Sequence, residues 1–212
     1  MDVKKLLIGL SLSWLLGNGV VGAADANVDI NGDPNGDPNV DKGLKADQAS
    51  DVTTALSNWI VLAEQGNASA QSNLGLMYEH GNGVARNYNT AVNWYALAAE
   101  QGDVVAQFNL GSMYDAGKGV LENDTTAVKW LNLAAGQGYA RAQSYLGVMY
   151  VNGEGVQADY LRAYMWWSIS ARNGDNLAAG YKDSIANKMM PAHISKAQEM
   201  VNRCLDSDYI DC

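Results

Sequence analysis

The chain has 212 residues, of which 14 are lysine or arginine and 23 are aspartate or glutamate, giving a formal net charge of −9. This acidic balance argues against nucleic-acid binding, because few basic residues are available to neutralise a row of phosphates. With two cysteines and two histidines, a zinc cluster and a dense disulfide scaffold are also excluded.

The N-terminus has the three-part pattern of a secretory signal peptide. Two lysines at 4–5 precede the apolar run Leu6 to Leu16, and small residues follow as far as Ala23. The apolar run is too short to span a bilayer. We therefore predict a signal peptide at 1–23, cleaved after Ala23 or Ala24, and export to the periplasm or the medium. No integral membrane segment is expected after cleavage.

Residues 24–50 are acidic and contain the sequence GDPN twice in tandem. Pro34 and Pro38 forbid a helix, so we predict a disordered acidic linker. An alternative remains open, in which the aspartates bind calcium and the chain is a calcium-responsive surface protein. Neither EF-hand register, starting at Asp29 or at Asn31, places glutamate at the twelfth position, as such a loop requires.

A period of 36 residues organises the rest of the chain. Residues 68–103, 104–139 and 140–175 align without a gap and share the same residue type at 13 of 36 columns. In the first block these columns are Ala70, Gln71, Leu74, Gly75, Met77, Tyr78, Gly81, Gly83, Val84, Ala91, Trp94, Ala99 and Gly102. Such self-similarity indicates stacked structural repeats.

Each block is expected to form two helices. Apolar residues recur at helical spacing in both halves, with Gly-x-Gly between the halves and a single glycine, such as Gly102, at the end. The shared tyrosines and tryptophans are expected in the core, since a lone helix pair cannot bury such faces but stacked pairs can. The Gly-x-Gly loops lack the lysine of a phosphate-binding loop and are interpreted as turns.

The two ends of the array are expected to act as caps. Residues 51–67 keep the 36-residue spacing and predict an N-terminal capping helix, a truncated repeat. Residues 176–212 predict a C-terminal capping helix pair and tail, with Pro191 in the first turn of the last helix. In an oxidising compartment Cys204 and Cys212 are expected to form one disulfide, with free or intermolecular thiols as the alternative.

The succession Ala70-Gln71, Leu74-Gly75, Tyr78 and Gly81-x-Gly83-Val84, then Ala91, Trp94-Tyr95 and Ala98 to Gly102, resembles the Sel1-like repeat family. The third block, with Gly153-Glu154-Gly155-Val156, is closer still to the family loop. The resemblance covers about residues 51–205. It implies an all-α fold, a right-handed α-solenoid of stacked antiparallel helix pairs related to tetratricopeptide arrays. It also implies an adaptor role in protein assembly.

By analogy with tetratricopeptide arrays, a protein or peptide partner would bind in a concave groove along the first helix of each pair. The expected groove residues are Ser69, Ser72, Leu76 and Glu79 in the first repeat, Val105, Phe108, Ser112 and Asp115 in the second, and Arg141, Ser144, Val148 and Asn152 in the third. Phe108 is the preferred anchor, and its alternative role is a partly buried filler between helices.

No catalytic motif was found, so we expect a non-enzymatic scaffold with no cofactor and no metal. Some Sel1-type relatives interact with β-lactams, which suggests a cell-wall or β-lactam enzyme as an alternative. Those relatives carry a cysteine pair in each repeat, and this chain has none there.

Overall fold

The computed structural model describes residues 52–212, and its regular secondary structure over this range is all α-helix. The helices are α1 (Val52–Glu64), α2 (Ala68–His80), α3 (Tyr88–Glu100), α4 (Val104–Ala116), α5 (Asp124–Gly136), α6 (Ala140–Asn152), α7 (Tyr160–Arg172), α8 (Ala178–Ala186) and α9 (Pro191–Asp206). Each helix from α1 to α7 packs against the next. The predicted α-solenoid of stacked helix pairs is therefore confirmed. The predicted signal peptide and acidic linker lie outside the described residues.

We name α2, α4 and α6 the A helices, and α3, α5 and α7 the B helices, of repeats 1, 2 and 3. Side chains cap the N-termini of five of these six helices, α6 excepted: the Thr90 N–H donates to Asn87 Oδ1 at 3.1 Å, and the Thr126 N–H donates to Asn123 Oδ1 at 2.9 Å. Every A helix ends at a glycine in the left-handed conformation, with φ of 61° at Gly117. Helix boundaries are thus encoded locally in each repeat.

The shared Leu-Gly pair lets the A and B helices of one repeat approach closely. The leucine of this pair is buried in every repeat, and so are one shared alanine column on the A helices (Ala70, Ala106 and Ala142) and one on the B helices (Ala91, Ala127 and Ala163). A Cβ added to Gly147 would lie 2.5 Å from the indole Nε1 of Trp167, and one added to Gly75 would lie 2.5 Å from the ring of Tyr95. The glycine is therefore needed because a large B-helix side chain lies directly over it.

The second glycine of each Gly-x-Gly loop allows contact between successive repeats. A Cβ on Gly119 would lie 2.5 Å from the carbonyl carbon and oxygen of Tyr88, the first residue of α3. Gly155 approaches the backbone of Asp124, the first residue of α5, in the same way. The loop of each of these two repeats therefore packs on the start of the preceding B helix.

Buried glutamines form a polar ladder through the stack. In each repeat, an A-helix glutamine donates its side-chain N–H to the carbonyl of an alanine near the end of the preceding helix, which is α1 for repeat 1 and a B helix for repeats 2 and 3. Its side-chain oxygen accepts from an amide 30 residues later. The donor bonds are Gln71 to Ala63 (3.1 Å), Gln107 to Ala99 (3.2 Å) and Gln143 to Ala135 (3.0 Å), and the accepted bonds come from Gln101 (2.7 Å), Gln137 (2.8 Å) and Asn173 (2.9 Å). The ladder satisfies polar groups that would otherwise be buried without partners.

The C-terminal segment ends this ladder. Helices α8 and α9 each pack against α7. Tyr209 lies 36 residues after Asn173, and its hydroxyl lies 3.0 Å from Nδ2 and 3.2 Å from Oδ1 of that asparagine. A disulfide joins Cys204 to Cys212 and closes the tail that carries Tyr209. The tail therefore supplies the last polar group of the ladder.

We expect Tyr209→Phe to lower the free energy of unfolding by about 1 kcal/mol, since the Asn173 side chain loses a partner while the aromatic ring stays. Urea denaturation followed by circular dichroism measures the change. Tyr160→Phe is the matched control, because the Tyr160 side chain is 40% exposed. An equal loss in both variants would show that the bond to Asn173 contributes nothing specific.

Candidate functional site

The twelve positions predicted for a groove all lie on the A helices, and the structure separates them by burial. Asn152 is exposed, and eight others are half-buried. These eight are Ser69, Leu76, Glu79, Val105, Phe108, Asp115, Arg141 and Val148. We name these nine residues the A-helix surface.

The other three predicted positions are corrected by the structure. Ser72, Ser112 and Ser144 are buried, so they do not present a side chain to a partner. The hydroxyl of Ser72 hydrogen-bonds the carboxylate of Asp103 at the start of the next A helix. The carbonyl of Ser144 accepts a bond of 3.0 Å from the indole of Trp167. These positions therefore face neighbouring helices.

Phe108 lies in a cluster of rings between repeats 2 and 3. Its ring centroid is 5.3 Å from that of Tyr139 and 6.2 Å from that of Tyr145, and both pairs meet edge to face. The guanidinium carbon of Arg141 lies 5.8 Å from the centroid of Phe108. Phe108 therefore packs one repeat against the next, and its half-buried ring still reaches the surface.

One repeat earlier, the positions of Phe108 and Tyr139 are occupied by Ser72 and Asp103. Asp103 caps α4, accepting a bond of 2.7 Å from the Ala106 N–H, whereas Tyr139 makes no side-chain capping bond to α6. A polar junction between repeats 1 and 2 is thus replaced by an aromatic one between repeats 2 and 3. The chemistry of the A-helix surface changes along the stack while the backbone repeats.

Two carboxylates of the A-helix surface accept bonds from buried tyrosines. The Tyr145 hydroxyl donates to Asp115 Oδ2, and the Tyr95 hydroxyl to Glu79 Oε2, each at 2.7 Å. Burial raises the pKa of Asp115, and burial together with the adjacent carboxylate raises the pKa of each tyrosine. Both hydroxyls therefore stay protonated and fix the carboxylates in place.

Tyr145 also explains why Ser112 is buried. Phe108, Ser112 and Asp115 follow one another along one face of α4 at spacings of four and three residues. Tyr145 contacts the first of these with its ring and the last with its hydroxyl, so its side chain lies over Ser112. The Ser112 hydroxyl has no hydrogen-bond partner within the described residues.

The A-helix surface is acidic near the ends of α4 and α6. Burial raises the pKa of Glu154, and the charges of Asp115 and Asp124 raise it further. Asn152 donates to Glu154 Oε1 at 3.1 Å. Within residues 52–212, neither Asp115 nor Glu154 forms an ion pair with lysine or arginine. These carboxylates therefore remain uncompensated by cations of the described chain.

We expect Asp115→Asn to stabilise the protein slightly at neutral pH. A carboxyl whose pKa is higher in the folded than in the unfolded state binds its proton more tightly when folded. Wild-type stability therefore falls as the pH rises from the usual aspartate range through the raised pKa of Asp115. The amide keeps an acceptor for Tyr145 and removes this charge. The gain should stay below about 1 kcal/mol, because Asp115 is partly solvated.

Thermal denaturation of wild type and Asp115→Asn over a range of pH checks this expectation. The difference in melting temperature should be present at neutral pH and shrink as the solution is acidified to the usual aspartate range. A variant that is less stable at neutral pH would contradict the assigned sign.

The other chemically interesting side chains do not converge on a second site. His80 and His193 are both exposed. No group of three or more histidine, cysteine, aspartate or glutamate side chains within residues 52–212 is placed to hold a metal ion. None of the helices described is both long and apolar enough to cross a bilayer. The aspartates proposed to bind calcium lie in the linker, outside the described residues.

The positions of the three repeats identify the family to which the chain belongs. A model of the Sel1 repeat matches residues 68–103, 104–139 and 140–175, the three blocks whose helix pairs stack here. The chain belongs to the Sel1 repeat family. Sel1-repeat proteins are repeat scaffolds of a kind that commonly mediates protein interactions. A search of curated proteins found no match.

Two solved structures are similar to this chain. A Sel1 repeat protein from Oxalobacter formigenes is 38% identical with a TM-score of 0.63, and the match covers 66% of this chain and 56% of that one. A protective antigen present in uropathogenic Escherichia coli strains, displaying an SLR fold, is 28% identical with a TM-score of 0.49, covering 74% and 42% of the two chains. The matched region thus spans about half the length of each of these Sel1 relatives.

Sequence reasoning missed the tyrosines that organise the A-helix surface. Tyr145 occupies a column that holds Asn73 and Asn109 in the other repeats, so it stood out only as a departure from the repeat. Asp115 precedes it by 30 residues, the same separation as that between Gln107 and Gln137 in the ladder. A search for chemically compatible pairs at this spacing would have linked Tyr145 to Asp115.

Proposed function

We propose that this Sel1-repeat protein is an exported, non-enzymatic scaffold that binds a protein or peptide partner across its A-helix surface. The main support is the combination of Phe108, Tyr145 and Asp115 at the junction of repeats 2 and 3. It brings an accessible ring beside a fixed carboxylate. Aromatic side chains are frequent anchors in protein interfaces, and fixed polar groups beside them set orientation.

The chemistry of this surface favours one class of partner. Asp115 and Glu154 are partly desolvated carboxylates with no ion pair to the described chain, so a basic side chain of a partner would relieve their mutual repulsion. The ring of Phe108 lies within the same stretch of surface and suits an apolar side chain. We therefore expect the bound segment to carry a basic residue close to an apolar one.

Export is supported by two independent features. The first is the signal-peptide pattern of residues 1–23. The second is the disulfide between Cys204 and Cys212, a bond that persists mainly in oxidising compartments. We propose a periplasmic or secreted location, which fractionation of cells expressing the full chain would test by comparing the cytoplasm, the periplasm and the medium.

Affinity capture with matched surface variants tests the binding proposal. Val148→Arg changes the A-helix surface, whereas Leu133→Arg places the same side chain on α5, where Leu133 is 52% exposed. Both variants are expected to have melting temperatures close to that of the wild type. We expect a partner captured from envelope extracts by wild type to be lost with Val148→Arg and kept with Leu133→Arg. If the partner were lost with Leu133→Arg and kept with Val148→Arg, the binding surface would lie on the B helices instead.

A further inference from the structure

The loop of repeat 1 contains an asparagine–glycine pair whose hydrogen bonding differs from that of the other such pairs in the described chain. Residues 52–212 contain three such pairs: Asn82-Gly83, Asn152-Gly153 and Asn173-Gly174. Asparagine followed by glycine is the sequence most prone to deamidation, because glycine has no side chain to hinder its own backbone nitrogen. That nitrogen must be free to attack the asparagine side chain.

In two of the three pairs the glycine N–H is occupied. The Gly153 N–H donates to the Met149 carbonyl at 2.8 Å, and the Gly174 N–H donates to the Ala171 carbonyl at 3.4 Å. Both bonds belong to the ends of helices. Attack by either nitrogen requires the helix end to open first, and such local opening lowers the reactive population.

The asparagine side chains of these two pairs are also restrained. The Asn152 amide donates to Glu154 Oε1 at 3.1 Å. The Asn173 amide donates to Gln143 at 2.9 Å and lies 3.0 Å from the Tyr209 hydroxyl. Each side chain would have to leave its partner before its carbonyl carbon could meet the following nitrogen.

Asn82-Gly83 lacks both restraints. Asn82 is exposed, and within the described residues neither its side chain nor the Gly83 N–H makes a hydrogen bond. We propose that Asn82 is a site of spontaneous deamidation, selected by the open loop of repeat 1. The equivalent loops of repeats 2 and 3 carry Lys118 and Glu154 in place of Asn82, so the reaction cannot occur at that position of either loop.

The reaction needs only water. After Gly83 loses its amide proton to solvent, its nitrogen bonds to Cγ of Asn82, the Cγ–Nδ2 bond breaks, and the side-chain nitrogen leaves as ammonia. Water then opens the five-membered imide at either carbonyl, giving aspartate or isoaspartate. The net change is hydrolysis of one amide to one carboxylate, with no oxidant or reductant.

The product changes the contact between repeat 1 and the N-terminal cap. A Cβ on Gly83 would contact the side chain of Val52 in α1, so the loop and α1 are closely packed here. Isoaspartate adds a methylene to the backbone and displaces Gly83 relative to Val52. Loosening of α1 is therefore expected, with repeats 2 and 3 unaffected.

Peptide mapping by mass spectrometry of the full chain, incubated at physiological temperature and mildly alkaline pH, tests the proposal. We expect folded protein to deamidate at Asn82 about tenfold or more faster than at Asn152 or Asn173, because opening a hydrogen-bonded helix end costs free energy. In urea the three rates should converge. Equal rates in the folded protein, or the same ranking in urea, would overturn the assignment to structure.

Hydrogen exchange of the aged protein tests the consequence. Amides of residues 52–64 should exchange faster after deamidation, and aged Asn82→Gln protein, which resists the reaction, should retain wild-type exchange. Unchanged exchange in extensively deamidated wild type would show that the modification leaves the cap intact and would refute that step.

Discussion

Gly119→Ala is expected to destabilise the protein by about 3–5 kcal/mol, among the largest effects of any single methyl group in the chain. Two costs combine at this position. The backbone of Gly119 has a φ of +72°, which disfavours alanine, and the added Cβ would lie 2.5 Å from the backbone of Tyr88. Tyr88 cannot retreat freely, because it begins α3 directly after the capping residue Asn87.

Gly102→Ala separates the two costs. Gly102 has a φ of +93° but no atom within 4 Å of an added Cβ, so only the conformational cost, about 1–2 kcal/mol, remains. Denaturant unfolding of both variants measures the difference. Equal losses would show that the contact between the loop and α3 is easily relieved and that the interface between repeats is softer than its geometry indicates.

Gln143→Leu is expected to cost about 2–4 kcal/mol, although leucine is apolar and the site is fully buried. The substitution leaves the Ala135 carbonyl and the Asn173 amide without their bonds of 3.0 and 2.9 Å. Each group keeps another partner, the Gly138 N–H for the Ala135 carbonyl and the Tyr209 hydroxyl for Asn173, so the cost comes from two hydrogen bonds lost at a buried position that leucine cannot replace.

Gln137→Leu is the control for this prediction. Gln137 is exposed and belongs to the same ladder, so water can replace its bonds to Gln107 and Gly102. We expect Gln137→Leu to lower the free energy of unfolding by less than about 1 kcal/mol. Urea denaturation of both variants then shows whether burial of the glutamine sets the cost of losing its hydrogen bonds. A Gln143 variant as stable as wild type would mean that the ladder is not needed to join the repeats.

The sequence predicted the repeat unit because its signals are local. Helix periodicity and the glycine at the end of each A helix both act within a few residues, and both recur at the same columns of the repeat. The predicted helix pairs of residues 68–175 are therefore present, and each A helix ends at the glycine that was expected to end it. Pro191 was likewise expected at the start of a helix, and it is the first residue of α9.

The polar ladder could not be predicted in the same way. Gln71 belongs to an invariant column, but its partners depend on how one repeat stacks on another. Stacking brings Gln101 to within 2.7 Å across 30 residues of sequence. Tyr209 lies in the register of this ladder only because α9 packs against α7 and the tail turns back through the disulfide.

The A-helix surface was predicted by position, and Ser112 shows how such a prediction can fail. Helical spacing placed Ser112 on the same face as Phe108 and Asp115, which is correct. Its burial depends on Tyr145, a side chain from the next repeat in a column where the other repeats carry asparagine. The spacing of residues along one helix gives no information about the size of the side chain that the next repeat packs over that helix.

Site-specific photo-crosslinking tests the central claim most directly, that the A helices carry the binding surface. A photoreactive phenylalanine analogue is placed at Val148 or Asn152 on α6, and at Leu97 or Leu133 on the B helices as exposed controls. We predict crosslinks to one protein partner from both α6 positions and none from the B-helix positions. Crosslinks to a partner from Leu97 and Leu133 alone would contradict the account.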